Sequence, residues 1–208
     1  VIQLGGAVGG LNAFGPAAIA IRARLAKQLG LRAPVISWTN SREPLHLLLG
    51  HVSLTASTLA RLGNEIYNLQ RSGIEEVAEA RPAGQINSIS MPHKTNPEMS
   101  EQIGALGAWI RNIAQGLHEQ GSHEHERDGK AWKTEWAAIP MALTAFGTQL
   151  KMAVSVLAGL NVREDKMREN IVATQEHCFS DALQFALAAR IGLIGARQLL
   201  SALYRQPS

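Results

Sequence analysis

Ser88, Lys94 and Asn96 bring a hydroxyl, an ammonium and an amide onto one short stretch, Ser88-Ile89-Ser90-Met91-Pro92-His93-Lys94-Thr95-Asn96-Pro97. The stretch runs into a predicted helix start, with Asn96 as N-cap and Pro97 at the first helical position. A helix N-terminus favours anions. A carbanion beside a carboxylate needs such donors, because charge moves onto the carboxylate oxygens in the transition state. A serine in that field can take a proton from carbon. The types and order of these residues therefore point to carbon-acid chemistry on a carboxylate.

Other residues compete for a chemical role. Arg127 offers a planar fork suited to a carboxylate, with an Arg–Glu network as the structural alternative. Arg42 lies in the first turn of a predicted helix, either binding substrate or sitting at the surface. His118, His123 and His125 interleave with Glu119, Glu124 and Glu126, but the spacing does not fit the i, i+4 pattern of zinc proteases, so no metal is expected. Cys178 beside His177 reads as a small buried residue rather than a nucleophile.

Composition narrows the class. Net charge is +3 without a basic block, so nucleic acid is not an expected partner. The single cysteine excludes an internal disulfide and fits a reducing cytoplasm. No uninterrupted run long enough for a bilayer occurs, and no membrane span is expected. Charged residues are 18% and hydrophobic residues 46%, which predicts much buried surface, in a core or an oligomer interface.

The elements that must hold the chemistry read as helices. A helix is predicted over 12–29, stopped by Gly30 after a glycine-rich turn at 5–10. A long one follows, capped by Ser41, with Leu45, Leu48, Val52, Ala56, Leu59, Leu62, Ile66 and Leu69 as its stripe. After the loop at 79–96, Met99, Ile103, Leu106, Ile110, Ile113 and Leu117 form a heptad-like seam, and Gly104 and Gly107 admit a close neighbour. A polar interruption at 121–136 precedes a third long helix over 136–157, with Ile139, Leu143, Phe146, Leu150, Ala153 and Leu157 on one face. Gly159 ends it, and Asn161 with Glu164 forms a capping box. Short helices near 181–190 and 195–204 follow. The pattern predicts an all-α long-helix bundle over 1–160, with its catalytic loop at 85–97, and the start of a small helical domain over 161–208.

Met91-Pro92-His93-Lys94-Thr95-Asn96-Pro97 closely resembles the signature loop of the fumarase/aspartase superfamily, Gly-Ser-Ser-x-Met-Pro-x-Lys-x-Asn-Pro. Asn87 replaces its glycine and Ile89 its second serine. Leu4-Gly5-Gly6-Ala7-Val8-Gly9-Gly10-Leu11-Asn12 resembles the superfamily's glycine-rich turn. Trp38 with Arg42-Glu43 is similar to a Trp-x-x-x-Arg-Asp of the carboxymuconate cycloisomerases, with Ser41 in place of glutamine. His125-Glu126-Arg127-Asp128-Gly129-x-x-Trp132-x-x-Glu135-Trp136 is similar to the His-Glu-Arg-x-x-x-x-Trp-x-x-Glu-Trp of the 3-carboxy-cis,cis-muconate cycloisomerases. Adenylosuccinate lyases share its first half.

The resemblance implies Ser88 as catalytic base and Lys94 and Asn96 as carboxylate binders, with Met91, His93, Arg127 and Arg42 around the substrate. It implies a cofactor-free lyase or cycloisomerase acting on a polycarboxylate, and a homotetramer whose sites draw on three chains. The nearest expectation is a 3-carboxy-cis,cis-muconate cycloisomerase-like protein, then adenylosuccinate lyase. A structural, non-catalytic relative, as lens crystallins are, is the alternative of another class. Members of the superfamily are about twice this length, and a chain opening on Val1-Ile2-Gln3-Leu4 reads as an inner piece of such an enzyme, inactive alone.

Overall fold

The structure, a computed structural model, describes residues 1–80, 91, 96–174 and 177–204. Its helices are α1 (Ala18–Gln28), α2 (Glu43–Leu69), α3 (Glu98–Glu119), α4 (Gly129–Ala158), α5 (Glu164–Ala173) and α6 (Ser180–Leu203). Two short strands, β1 (Val77–Ala78) and β2 (Asn161–Val162), pair antiparallel. The all-α expectation holds.

Helices α2, α3 and α4 form an antiparallel bundle whose core lies in three layers along its axis. Leu49, Ala114, Leu117 and Ala142 fill one end. Val52, Ala56, Ile110 and Ala145 fill the middle. Ile66, Val77, Ile103, Ala153 and Val156 fill the other end. Small residues set the spacing. A Cβ on Gly107 would lie 2.7 Å from the Ala60 Cβ and 2.9 Å from the Ala56 carbonyl oxygen, and one on Gly63 would lie 2.8 Å from the Ser100 carbonyl. The seam of α3 is thus as the spacing predicted. Gln149, fully buried, donates from Nε2 to the Ala56 and Ile103 carbonyls at 3.0 and 2.9 Å and ties α4 to both neighbours.

Several local expectations are corrected. The first helix is broken, because Gly15, at φ 58°, kinks the 3-10 segment Asn12–Ala17 that precedes α1. Ser41 does not cap α2, which starts after Arg42 without a side-chain cap. Leu48 is exposed and Leu49 is buried in its place. Helix α4 begins at Gly129, seven residues early, because the Asp128 carboxylate accepts from the Lys130 and Ala131 amides at 3.0 and 3.1 Å. Its buried face is Ala131, Glu135, Ala142, Ala145, Gln149, Ala153 and Val156, while Leu143, Leu150 and Leu157 point out. Close packing on two neighbours selects the small residues and leaves the large ones for another surface. Asn161 caps nothing, since it pairs with Ala78. Gly192, at φ 76°, breaks α6 where a gap between two short helices was expected. Cys178 is exposed, not buried.

By length and composition alone, two helical stretches among the described residues, Gly129–Ala158 and His177–Leu203, are long and apolar enough to cross a bilayer. The first is α4, a wall of the bundle that buries Glu135 and Gln149 on its inner face, as a helix packed on other helices does.

Candidate active site

The signature stretch lies mostly outside the described residues: Asn87, Ser88, Ile89, His93 and Lys94 all do. Met91 and Asn96 are described and exposed. What the structure defines is the foot of the stretch. Asn96 does not serve as N-cap; α3 starts at Glu98, behind Pro97, which supplies no side-chain cap. The cap comes from Glu79, which precedes the stretch. Its Oε1 accepts from the Met99 amide at 3.1 Å, and its Oε2 from the Ser100 amide at 3.1 Å and the Ser100 hydroxyl at 2.6 Å. The anion expected at this helix end is thus one of the chain's own carboxylates.

The second polar centre sits where α2 begins, α3 ends and α4 begins. Arg42 donates from Nε to Glu135 Oε1 at 2.8 Å, and its Nη2 pairs with Oε2, a two-pronged contact. Its Nη1 reaches the Thr39 carbonyl at 3.2 Å. The Arg42 and Glu135 side chains are only 11% and 6% exposed, so the pair is nearly sealed from water. His123 Nε2 lies 3.5 Å from Glu135 Oε1. The rings of His46 and His118 meet edge to face at 5.0 Å. Burial, then the neighbouring His118, holds the His46 pKa below its ordinary value; Glu135 pulls it the other way.

Arg127 stands apart from that pair. Its guanidinium lies over the Trp132 ring, 4.7 Å from the centroid, and Trp132 packs on Trp136 at 5.5 Å. Arg127 is exposed, so its stacked fork remains open to an incoming anion. The Asp128 pKa is lowered, chiefly by the Ala131 amide that it accepts.

The two motifs that flank this centre in sequence therefore meet in space, through Arg42 and Glu135. Arg42 and Arg127 do not meet Asn96. Asn96 precedes the first turn of α3 and His118 lies in the last, so about 30 Å of helix separates the two polar centres at 1.5 Å per residue. Glu79 and the structural roles of Glu135 and His123 were missed by sequence reasoning. Glu79 caps a helix that begins nineteen positions later (98 − 79), and no local spacing announces that. Among the described residues no cluster of three or more His, Cys, Asp or Glu could hold a metal ion.

The sequence profile of a family described as lyase matches residues 1–111. The curated relatives that share 34% identity with the chain include two of different activity. One is N-acetyl-S-(2-succino)cysteine lyase of Dickeya dadantii, over 95% of this chain and 44% of the relative. The other is 3-carboxy-cis,cis-muconate cycloisomerase of Pseudomonas aeruginosa, over 96% and 44%. A solved structure, the 3-carboxy-cis,cis-muconate lactonizing enzyme of Pseudomonas putida, superposes with a TM-score of 0.82 at 30% identity, covering 97% of this chain and 44% of that one. The chain thus spans less than half the length of the relatives it matches.

Proposed function

The chain belongs to the lyase family, within the fumarase/aspartase superfamily, and on that premise we propose that it carries part of the active site of a cofactor-free enzyme acting on a polycarboxylate. In this reading Ser88 takes a proton from carbon next to a carboxylate. Lys94 and Asn96 hold the doubly charged aci-carboxylate that results, with Met91 and His93 beside them. In elimination the bond at the neighbouring carbon then breaks; in lactonisation the same steps run in reverse, the C–O bond closing first and the aci-carboxylate then taking a proton at carbon. Arg127, presented on Trp132, clamps a second carboxylate. Arg42 acts indirectly, through Glu135.

The observation that carries this is the 88–97 stretch, in a chain similar along nearly its whole length to enzymes of both outcomes. The separation of Asn96 from Arg127 supports a further point: a complete site needs both bundle ends, so it is shared between copies, as in a homotetramer. The outward apolar residues of the bundle, among them Leu54 and Val154 at 71% and 67% exposure, support helix–helix assembly.

The favoured activity is 3-carboxy-cis,cis-muconate cycloisomerase-like. A second reading, elimination from an S-succinyl thioether, rests on the equal identity to the succinocysteine lyase. The two share the aci-carboxylate and differ in direction: in elimination the proton leaves carbon and a C–S bond then breaks, whereas in lactonisation a C–O bond closes and carbon is then protonated. Assay of the full-length protein with both substrates, and with adenylosuccinate, separates them. Ser88→Ala should cut turnover of the accepted substrate by orders of magnitude with the fold intact; surviving activity would refute Ser88 as base.

A further inference from the structure

Glu79 does more than end a strand. Its backbone amide donates to Gln70 Oε1 at 2.8 Å, which fixes it to the C-terminal end of α2. Two residues earlier, Val77 is buried and paired with Val162. Its carboxylate then accepts three hydrogen bonds from the first turn of α3, including the hydroxyl of Ser100, which is fully buried. Ser100 in turn sits where Gly63 lets α2 approach. One residue thus ties the C-terminal end of α2 to the first turn of α3.

Resting on the proposed function, we infer that Glu79 is a positioning residue for that reaction: it fixes the start of α3, and so the place from which Asn96 faces a substrate. A carboxylate suits the task because it accepts from two adjacent helix amides and a hydroxyl at once, and because its charge matches the positive end of the helix. Pro97, at the N-cap position of α3, has no capping side chain of its own.

The test compares Glu79→Ala and Glu79→Gln with a packing control, Ile110→Val, in the full-length protein. Amide exchange at Asn96, Met99 and Ser100 is read first, then kcat and KM on the accepted substrate, at a temperature where all variants are folded. Glu79→Ala should lose protection at Met99 and Ser100 and lower kcat by roughly ten- to a hundredfold, the scale expected of a misplacement of about 1 Å. Glu79→Gln, which keeps one carbonyl acceptor, should fall between. Ile110→Val should lower Tm with kcat and exchange at the helix start unchanged. Unchanged exchange, or lost protection with an unchanged kcat, would overturn the inference. A wild-type protein that turned over none of the three substrates would instead refute the proposed function, and exchange at Asn96 would then decide alone whether Glu79 fixes the helix start.

Discussion

Glu135→Ala removes the carboxylate that faces Arg42 and leaves a guanidinium in a site only 11% exposed. Breaking one side of a buried ion pair costs on the order of 3–5 kcal/mol. In a chain of this size each kcal/mol moves Tm by about 2–4 °C, so a fall of roughly 10 °C is expected. The reverse change, Arg42→Met, should cost less, because His123 Nε2, 3.5 Å from Glu135 Oε1, leaves the carboxylate a neighbouring polar partner. The double variant Arg42→Met/Glu135→Leu should recover much of the loss, since apolar side chains of similar volume often replace a buried pair without penalty. Thermal unfolding of wild type, Arg42→Met, Glu135→Leu and the double variant closes the cycle and gives the coupling energy. KM measured in parallel tests whether Arg42 itself touches substrate: its structural role predicts that Arg42→Met alters Tm far more than KM. A Glu135→Ala protein melting within about 2 °C of wild type, or a double variant as unstable as the two losses added, would refute the reasoning.

Gly107→Ala places a methyl 2.7 Å from the Ala60 Cβ and 2.9 Å from a carbonyl; overpacking of this kind should cost about 1–3 kcal/mol, read from urea unfolding. The pKa of His46 is lowered in the folded chain, so its contribution is complete above its ordinary pKa of 6.5 and is lost as pH falls below it. Tm should therefore drop through mildly acidic pH, and His46→Gln should flatten that slope; Arg42, His118 and His123 oppose the new charge while Glu135 favours it. Asp128→Ala should shorten α4 at its start and lower helicity by circular dichroism, whereas Asp128→Asn, which keeps an acceptor oxygen for the Lys130 and Ala131 amides, should not.

The sequence by itself determined the helical class, the seam of α3 and the close approach at Gly107, because each follows from side-chain period and size along one element. The motif at 88–97 and its resemblance were likewise local, and they identified the family. What failed depended on what a helix packs against. In α4 Ala153 is buried as expected and Ile139 and Phe146 pack against the core, but Leu143, Leu150 and Leu157 point out, because the narrow gap beside α2 and α3 takes Ala142, Ala145 and the bridging Gln149 instead. The caps moved for a similar reason. Asn96 and Asn161 are suitable cap residues by type, but Glu79 supplied the first cap from a distance and strand pairing claimed Asn161. Only the tertiary structure could assign Arg42 to Glu135 and set Asn96 and Arg127 towards opposite ends of α3, since contacts between distant residues depend on how whole helices are arranged and leave no periodic trace in the chain.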